Sequence, residues 1–339
     1  MASIGLTLSV IVAAMTICVR IPLAESEAIG VCYGMLGDSL PAPANVIAMY
    51  RQYNIGKLRL YRPEAGALDA LQGSGIEVML GVANEDLVGI SLVPEAAAEW
   101  INIHVKPYLP SVAFKYILAG NEVIPGENAC YVAGAIKNLQ DALTQDGIND
   151  ILVSTGVPFS VLGNSYPSSA AAFADSVKED MVAILQQLAR VNAPLMVQVY
   201  PYFAYQNDPA NVRLEYAQFT APGPVVIDGD LPYQNLLDAM LDSLYVAMER
   251  EGFPSIRLVI SETGWPNAGN AGFTSPSLAL TYNSNFLDRV RAGTGTPRRP
   301  NVPYEGYVFA MFNENLKPAG IEQYWGIFYP NTIPVYPLF

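Results

Sequence analysis

The chain has 339 residues, a formal net charge of -13 and a pI near 4.5. Hydrophobic residues make up 51% and charged residues 14%, which allows a large core and argues against disorder. So acidic a chain has no electrostatic case for binding nucleic acid or an anionic membrane, whereas a neutral ligand such as a carbohydrate is indifferent to that charge.

The N-terminus reads as a leader. Residues 4–19 are almost unbroken apolar sequence, too short for a comfortable membrane span. Ser26 and Ala28 then place small residues at the -3 and -1 positions of a cleavage before Ile29. The n-region carries no Lys or Arg. The expectation is a signal peptide over 1–28, followed by a soluble secreted protein at 29–339.

Beyond the leader, short apolar runs alternate with helical spacing. Strands are predicted at 29–33, 57–61, 77–82, 115–119, 151–155, 195–200, 257–261 and 307–312. Helices are predicted between them, notably at 45–53, 94–108, 129–145, 169–191, 234–250 and 278–291, with Pro94 suited to a first turn and Gly147 to a stop. Strands that are apolar without alternation are buried on both faces, as in a parallel sheet. Eight such βα units predict a single (β/α)8 TIM barrel with its site at the strand C-termini. The rival is an open doubly wound sheet, but the turn after the first strand, YGMLGD, lacks the G-x-G-x-x-G phosphate fingerprint. Residues 201–233, rich in Tyr, Phe, Pro and Gly, predict a small subdomain after strand six. Residues 293–303, with Arg298 and Arg299, predict an exposed loop.

Metal and triad chemistry are poorly supplied. His104 is the one histidine and lies in an amphipathic helical stretch, so neither zinc nor a Ser-His-Asp triad is expected. No cofactor is expected. There are three cysteines, with Cys18 inside the leader. A disulfide between Cys32 and Cys130 is possible, and spacing does not decide it.

What the predicted strand ends do carry is carboxylates, amides and aromatic rings. Tyr33 and Tyr61 close strands one and two; Asn121 and Glu122 follow strand four; Tyr200 ends strand six. The stretch ISETGWP delivers Glu262 at the end of strand seven beside Trp265, and Glu314, Lys317 and Glu322 lie beyond strand eight. That mixture suits sugars, whose rings lie on aromatic faces while their hydroxyls take polar partners. Two carboxylates suffice for glycoside hydrolysis, one protonated and one ionised; a separation of roughly 5–5.5 Å gives retention through a covalent intermediate. Strands four and seven face each other across an eight-stranded barrel, so Glu122 and Glu262 form the expected pair.

The motifs LRLYRPE, GIEVMLGV, ILAGNEV, VLGNSYPSSA, VQVYPYFAY, LVISETGWPNAG, TYNSN and FAMFNENLKP run the length of the chain from Ile29. With them the chain resembles the plant endo-1,3-β-glucanases of glycoside hydrolase family 17. The resemblance implies a secreted retaining endo-hydrolase of 1,3-β-glucan, with Glu122 as acid/base and Glu262 as nucleophile. It places Tyr33, Tyr61, Asn121, Tyr200, Trp265, Glu314, Lys317 and Glu322 around the glucan, and a monomer is expected. Alternatives are a 1,3;1,4-β-glucan endohydrolase and a non-catalytic β-glucan-binding protein. Where the family commonly reads YDPN, this chain reads Tyr61-Arg62-Pro63-Glu64. The sequence shows no C-terminal sugar-binding module or apolar anchor tail, which favours the extracellular space over the vacuole.

Overall fold

The structure is a computed structural model that describes residues 29–339; the expected signal peptide lies outside the described residues. Eight apolar runs form strands β1 (Ile29–Tyr33), β2 (Lys57–Leu60), β3 (Glu77–Val82), β4 (Ala113–Asn121), β5 (Leu152–Pro158), β6 (Leu195–Gln198), β7 (Leu258–Thr263) and β8 (Gly306–Val308). They close into one parallel barrel in chain order, and β8 meets β1 with Ile29 opposite Gly306 and Val31 opposite Val308. Closure leaves no free sheet edge, as an open doubly wound sheet would. Every residue of β1, β2, β6, β7 and β8 is buried, which explains the missing alternation: one face meets the barrel interior and the other meets helices. At Gly30 the Tyr307 ring crosses the strand, and a Cβ there would come within 2.3 Å of it.

The outer helices start where the chain supplies N-terminal chemistry. Pro at the first turn opens Pro43–Gln52, Pro94–His104 and Pro276–Arg291. Ser275 and Asn235 cap Pro276–Arg291 and Leu236–Arg250 by accepting from the N–H of Leu278 and Asp238. Glu64, at the divergent YRPE, caps Ala65–Leu71 by accepting from Gly66 and Ala67.

Residues 201–233 do form a small subdomain after β6, with helices Pro201–Asn207 and Leu214–Ala217 and the hairpin Val226–Asp228/Leu231–Tyr233. Three expectations need correction. The helix predicted from 169 begins at Lys178; before it, Leu162–Asn164 pairs antiparallel with Ala172–Phe173. Ser169 is held there by Asp228, which accepts from its N–H at 2.7 Å and its hydroxyl at 2.6 Å. The strand predicted to 312 stops at Val308, because the backbone beyond it pairs with a returning C-terminal segment: Ala310 N–H donates to Trp325 O, and Phe328 N–H to Met311 O. The 293–303 loop is pinned rather than free, since Arg298 and Arg299 both pair with Glu249. Among the described residues, no helix is long and apolar enough to cross a membrane.

Candidate active site

The C-terminal strand ends open into a cleft of about 1010 Å³, at the upper end of the roughly 300–1,000 Å³ usual for ligand sites. Tyr33, Tyr61, Asn121, Glu122, Tyr200, Glu262, Glu314, Lys317 and Glu322 all line it. The two expected catalytic carboxylates arrive on irregular strand ends. Pairing of β4 with β5 shifts between Leu118 and Asn121, and pairing of β7 with β6 shifts between Ile260 and Glu262. Such bulges re-aim side chains beside sites. On β4 the backbone also turns left-handed at Gly120 (φ +81) and again at Glu122 (φ +52).

Glu262 is 6% exposed and surrounded by donors. Its Oε1 accepts from Arg59 Nη1 and from the Tyr61 hydroxyl, both at 2.8 Å, and its Oε2 accepts from the Tyr200 hydroxyl at 2.6 Å. A carboxyl that only accepts is hydrogen-bonded as the anion. Arg59 leaves β2, crosses the barrel to Ser261 O at 2.9 Å, and lies 4.5 Å from the centre of the Tyr61 ring. Its Nη2 and the Gln198 Nε2 both donate to Asn121 Oδ1. With Oδ1 so occupied, the Asn121 amide N–H groups are the part left for a ligand. Burial raises the Tyr61 and Tyr200 phenols well above their usual value, so both remain donors.

Glu122 has no such cage. It stands exposed in the cleft mouth, but the surrounding walls withdraw its carboxyl from bulk water and the Glu262 charge repels it. Together these push it up to about 7. Two carboxyls in one cleft are thus driven apart, one fully donated to and one inclined to hold a proton. The pair can deliver a proton and a nucleophile to one bond.

Residues 29–338 match the family described as Glycosyl hydrolases family 17. The chain belongs to that family.

Among curated relatives, this family 17 chain is 45% identical to the glucan endo-1,3-beta-glucosidase, basic vacuolar isoform, of Nicotiana plumbaginifolia, over 94% of this chain and 87% of that one. It is also 45% identical to the basic isoform 1 of Solanum tuberosum, over 91% and 92%. Among solved structures it resembles one of two plant beta-glucan endohydrolases with distinct substrate specificities, at 43% identity and TM-score 0.88 over 91% and 99% of the chains. It resembles a beta-1,3-glucanase and allergen of Cryptomeria japonica pollen similarly, at 42% and 0.88 over 92% and 98%.

Trp265 is the expected cleft residue that the family 17 fold places elsewhere. It is 0% exposed, its indole N–H donates to Phe273 O at 2.9 Å, and Tyr202, Tyr205 and Tyr282 pack around it. The strand ends at Thr263, and Trp265 lies just beyond it with its ring buried away from the cleft. Beyond Tyr33, Tyr61 and Tyr200, the aromatic cleft residues are Phe159, Phe203, Phe309 and Trp325; Phe203 is exposed, whereas Trp325 is largely buried, 5.1 Å from Tyr200 and 5.9 Å from Phe309. Glu314 is 3% exposed and is committed to the protein, accepting from Leu36 N–H at 2.7 Å with Lys317 3.5 Å away. Sequence reasoning missed Arg59 and Gln198. A cation inside the apolar run KLRL was the available signal for Arg59; Gln198 offered none.

Cys32 and Cys130 are both free thiols. Cys32 is buried, donates to Ser261 O, and burial pushes it up to about 12, so it is an inert core residue. His104 ends Pro94–His104 with its ring 5.1 Å from Trp100. The described residues hold no cluster of three or more His, Cys, Asp or Glu able to bind a metal.

Proposed function

We propose that this family 17 chain is a retaining endo-hydrolase of 1,3-β-glucan, with Glu122 as acid/base and Glu262 as nucleophile. The observation that carries this is the asymmetry of the pair: Glu262 accepts from Arg59, Tyr61 and Tyr200, while the Glu122 carboxyl is pushed up to about 7. Glu122 gives its proton to the glycosidic oxygen as the bond from that oxygen to the anomeric carbon breaks. The Glu262 carboxylate attacks the same carbon and forms a glycosyl ester. Glu122, now a carboxylate, takes a proton from water, the resulting hydroxide attacks, and Glu262 is released. Asn121 offers its amide N–H groups to a sugar hydroxyl, and the exposed Phe203 offers a face to a ring.

Support for the 1,3-linkage comes from relatives named as glucan endo-1,3-beta-glucosidases. Support for internal cleavage comes from a cleft large enough for several sugar units. We infer a monomer, because one chain supplies every wall of the cleft, and secretion, on the leader pattern of residues 1–28.

Laminarin hydrolysis by the protein beginning at Ile29 tests this, with products followed by length and by NMR of the anomeric proton. Internal cleavage with retained β-configuration is expected. Glu262→Gln is expected to lower kcat by at least about 10⁴-fold, the scale seen when a nucleophile is removed. Binding without cleavage would leave a glucan-binding protein, and cleavage of mixed-linkage glucan alone would overturn the substrate but keep the mechanism.

A further inference from the structure

We propose that Asn84 is a positioning residue for Glu122, acting through the backbone of Asn121; this rests on the acid/base role given to Glu122. Regular pairing of β3 with β4 ends at Val82 opposite Ala119. Two residues on, the Asn84 side chain takes over the ladder. Its Oδ1 accepts from Asn121 N–H at 2.8 Å, and its Nδ2 donates to Asn121 O at 3.0 Å. A side-chain amide carries the same donor and acceptor as a peptide, so Asn84 pairs with Asn121 as a strand residue would.

The need for this support is visible in the backbone. Gly120 and Glu122 are both left-handed, an arrangement that a glutamate resists by roughly 1–2 kcal/mol. Such a conformation persists only where the surroundings over-determine it. On the β5 side, Glu122 N–H donates to Gly156 O at 2.9 Å. On the β3 side, Asn84 is the clamp. Gly120 fits beneath it: a Cβ there would lie 3.2 Å from Asn84 Oδ1 and 2.6 Å from Leu87. Asn84 is itself exposed and begins the short helical turn Asn84–Asp86, so its removal opens no core cavity.

The test compares Asn84→Ala with Glu122→Gln on laminarin and on a dinitrophenyl β-glucoside oligomer, whose leaving group needs no proton. Asn84→Ala is expected to lower kcat on laminarin by about 10- to 100-fold, the cost of an ångström-scale misplacement. Single-turnover dinitrophenol release should stay within about threefold. The alkaline limb of the laminarin pH profile should move from its place near 7. Equal losses on both substrates would make Asn84 a general structural residue and overturn the proposal, as would an unchanged kcat and pH profile. If Glu122→Gln itself hydrolyses laminarin at full rate, the acid/base role falls and the positioning role falls with it. If Glu122→Gln behaves as expected and Asn84→Ala does not, only the positioning role falls.

Discussion

At the scale of single residues, the site separates two chemically identical carboxyls by what surrounds them. Glu262 meets one cation and two phenols; Glu122 meets partial desolvation and a facing negative charge. The sign of the pH dependence follows. Glu122 must carry its proton to act as acid, so kcat/KM on laminarin should fall tenfold per unit as pH rises beyond about 7. Glu122→Gln should erase that limb on an activated aryl substrate, where the acid is dispensable. A limb that survives the substitution would assign it to another group. Both glutamates were singled out in the sequence as carboxylates closing apolar strands, and the structure brings both to the cleft. Arg59 was not: its partners Asn121 and Glu262 lie 62 and 203 residues away.

At the scale of elements, a bend of one or two residues decides which side chains face the cleft. Glu262 reaches the cleft at a β7 bulge, while Trp265, three residues on, is fully buried outside the cleft. Trp265 and Phe203 therefore separate packing from binding. Trp265→Phe should lower Tm through a cavity, costing about 1–3 kcal/mol, with KM for laminarin unchanged. Phe203→Ala should raise KM several-fold, on the loss of an exposed ring face worth about 1 kcal/mol. A raised KM for Trp265→Phe would return that ring to the site. β8 shows the same dependence on context: residues 309–312 are apolar enough for a strand, but the returning C-terminal segment takes their backbone groups.

At the scale of the whole molecule, the barrel is closed at its other end by an ion network that joins five strands and the residues flanking them. Lys57 lies 2.9 Å from Glu305 and 3.1 Å from Glu77, Lys115 lies 3.2 Å from Glu77, and Arg257 lies 3.4 Å from Glu305. Burial would raise the Glu305 carboxyl, but Lys57, Lys115 and Arg257 outweigh it and hold it below its usual 4.5. A carboxyl lowered in the folded state stabilises above its unfolded value, and that stability is lost as pH falls through the folded value. Glu305→Gln, which leaves Lys57 and Arg257 short of an anion, should cost about 3 kcal/mol at pH 7. The gap to the unsubstituted protein should narrow in urea titrations as pH falls below the ordinary carboxyl value of 4.5. A pH-independent gap would mean that packing, not charge, is what Glu305 supplies. The network is remote from the cleft, so kcat should be unaffected.

The barrel itself was readable from the order of residues, because burial on both faces forces each strand to be apolar throughout and eight such runs have one economical closure. That Glu122 and Glu262 would both reach the barrel mouth was readable because their motifs sit at the ends of those runs. Three things required the tertiary structure. One is which aromatic rings reach the cleft, since residues as near in sequence as Glu262 and Trp265 end in different surroundings. Another is the set of donors on Glu262, since Arg59, Tyr61 and Tyr200 come from strands that meet only when the barrel closes. The last is the Asn84 clamp, where one side chain continues a ladder that the backbone has left; short-range sequence carries no record of contacts made across the width of the fold.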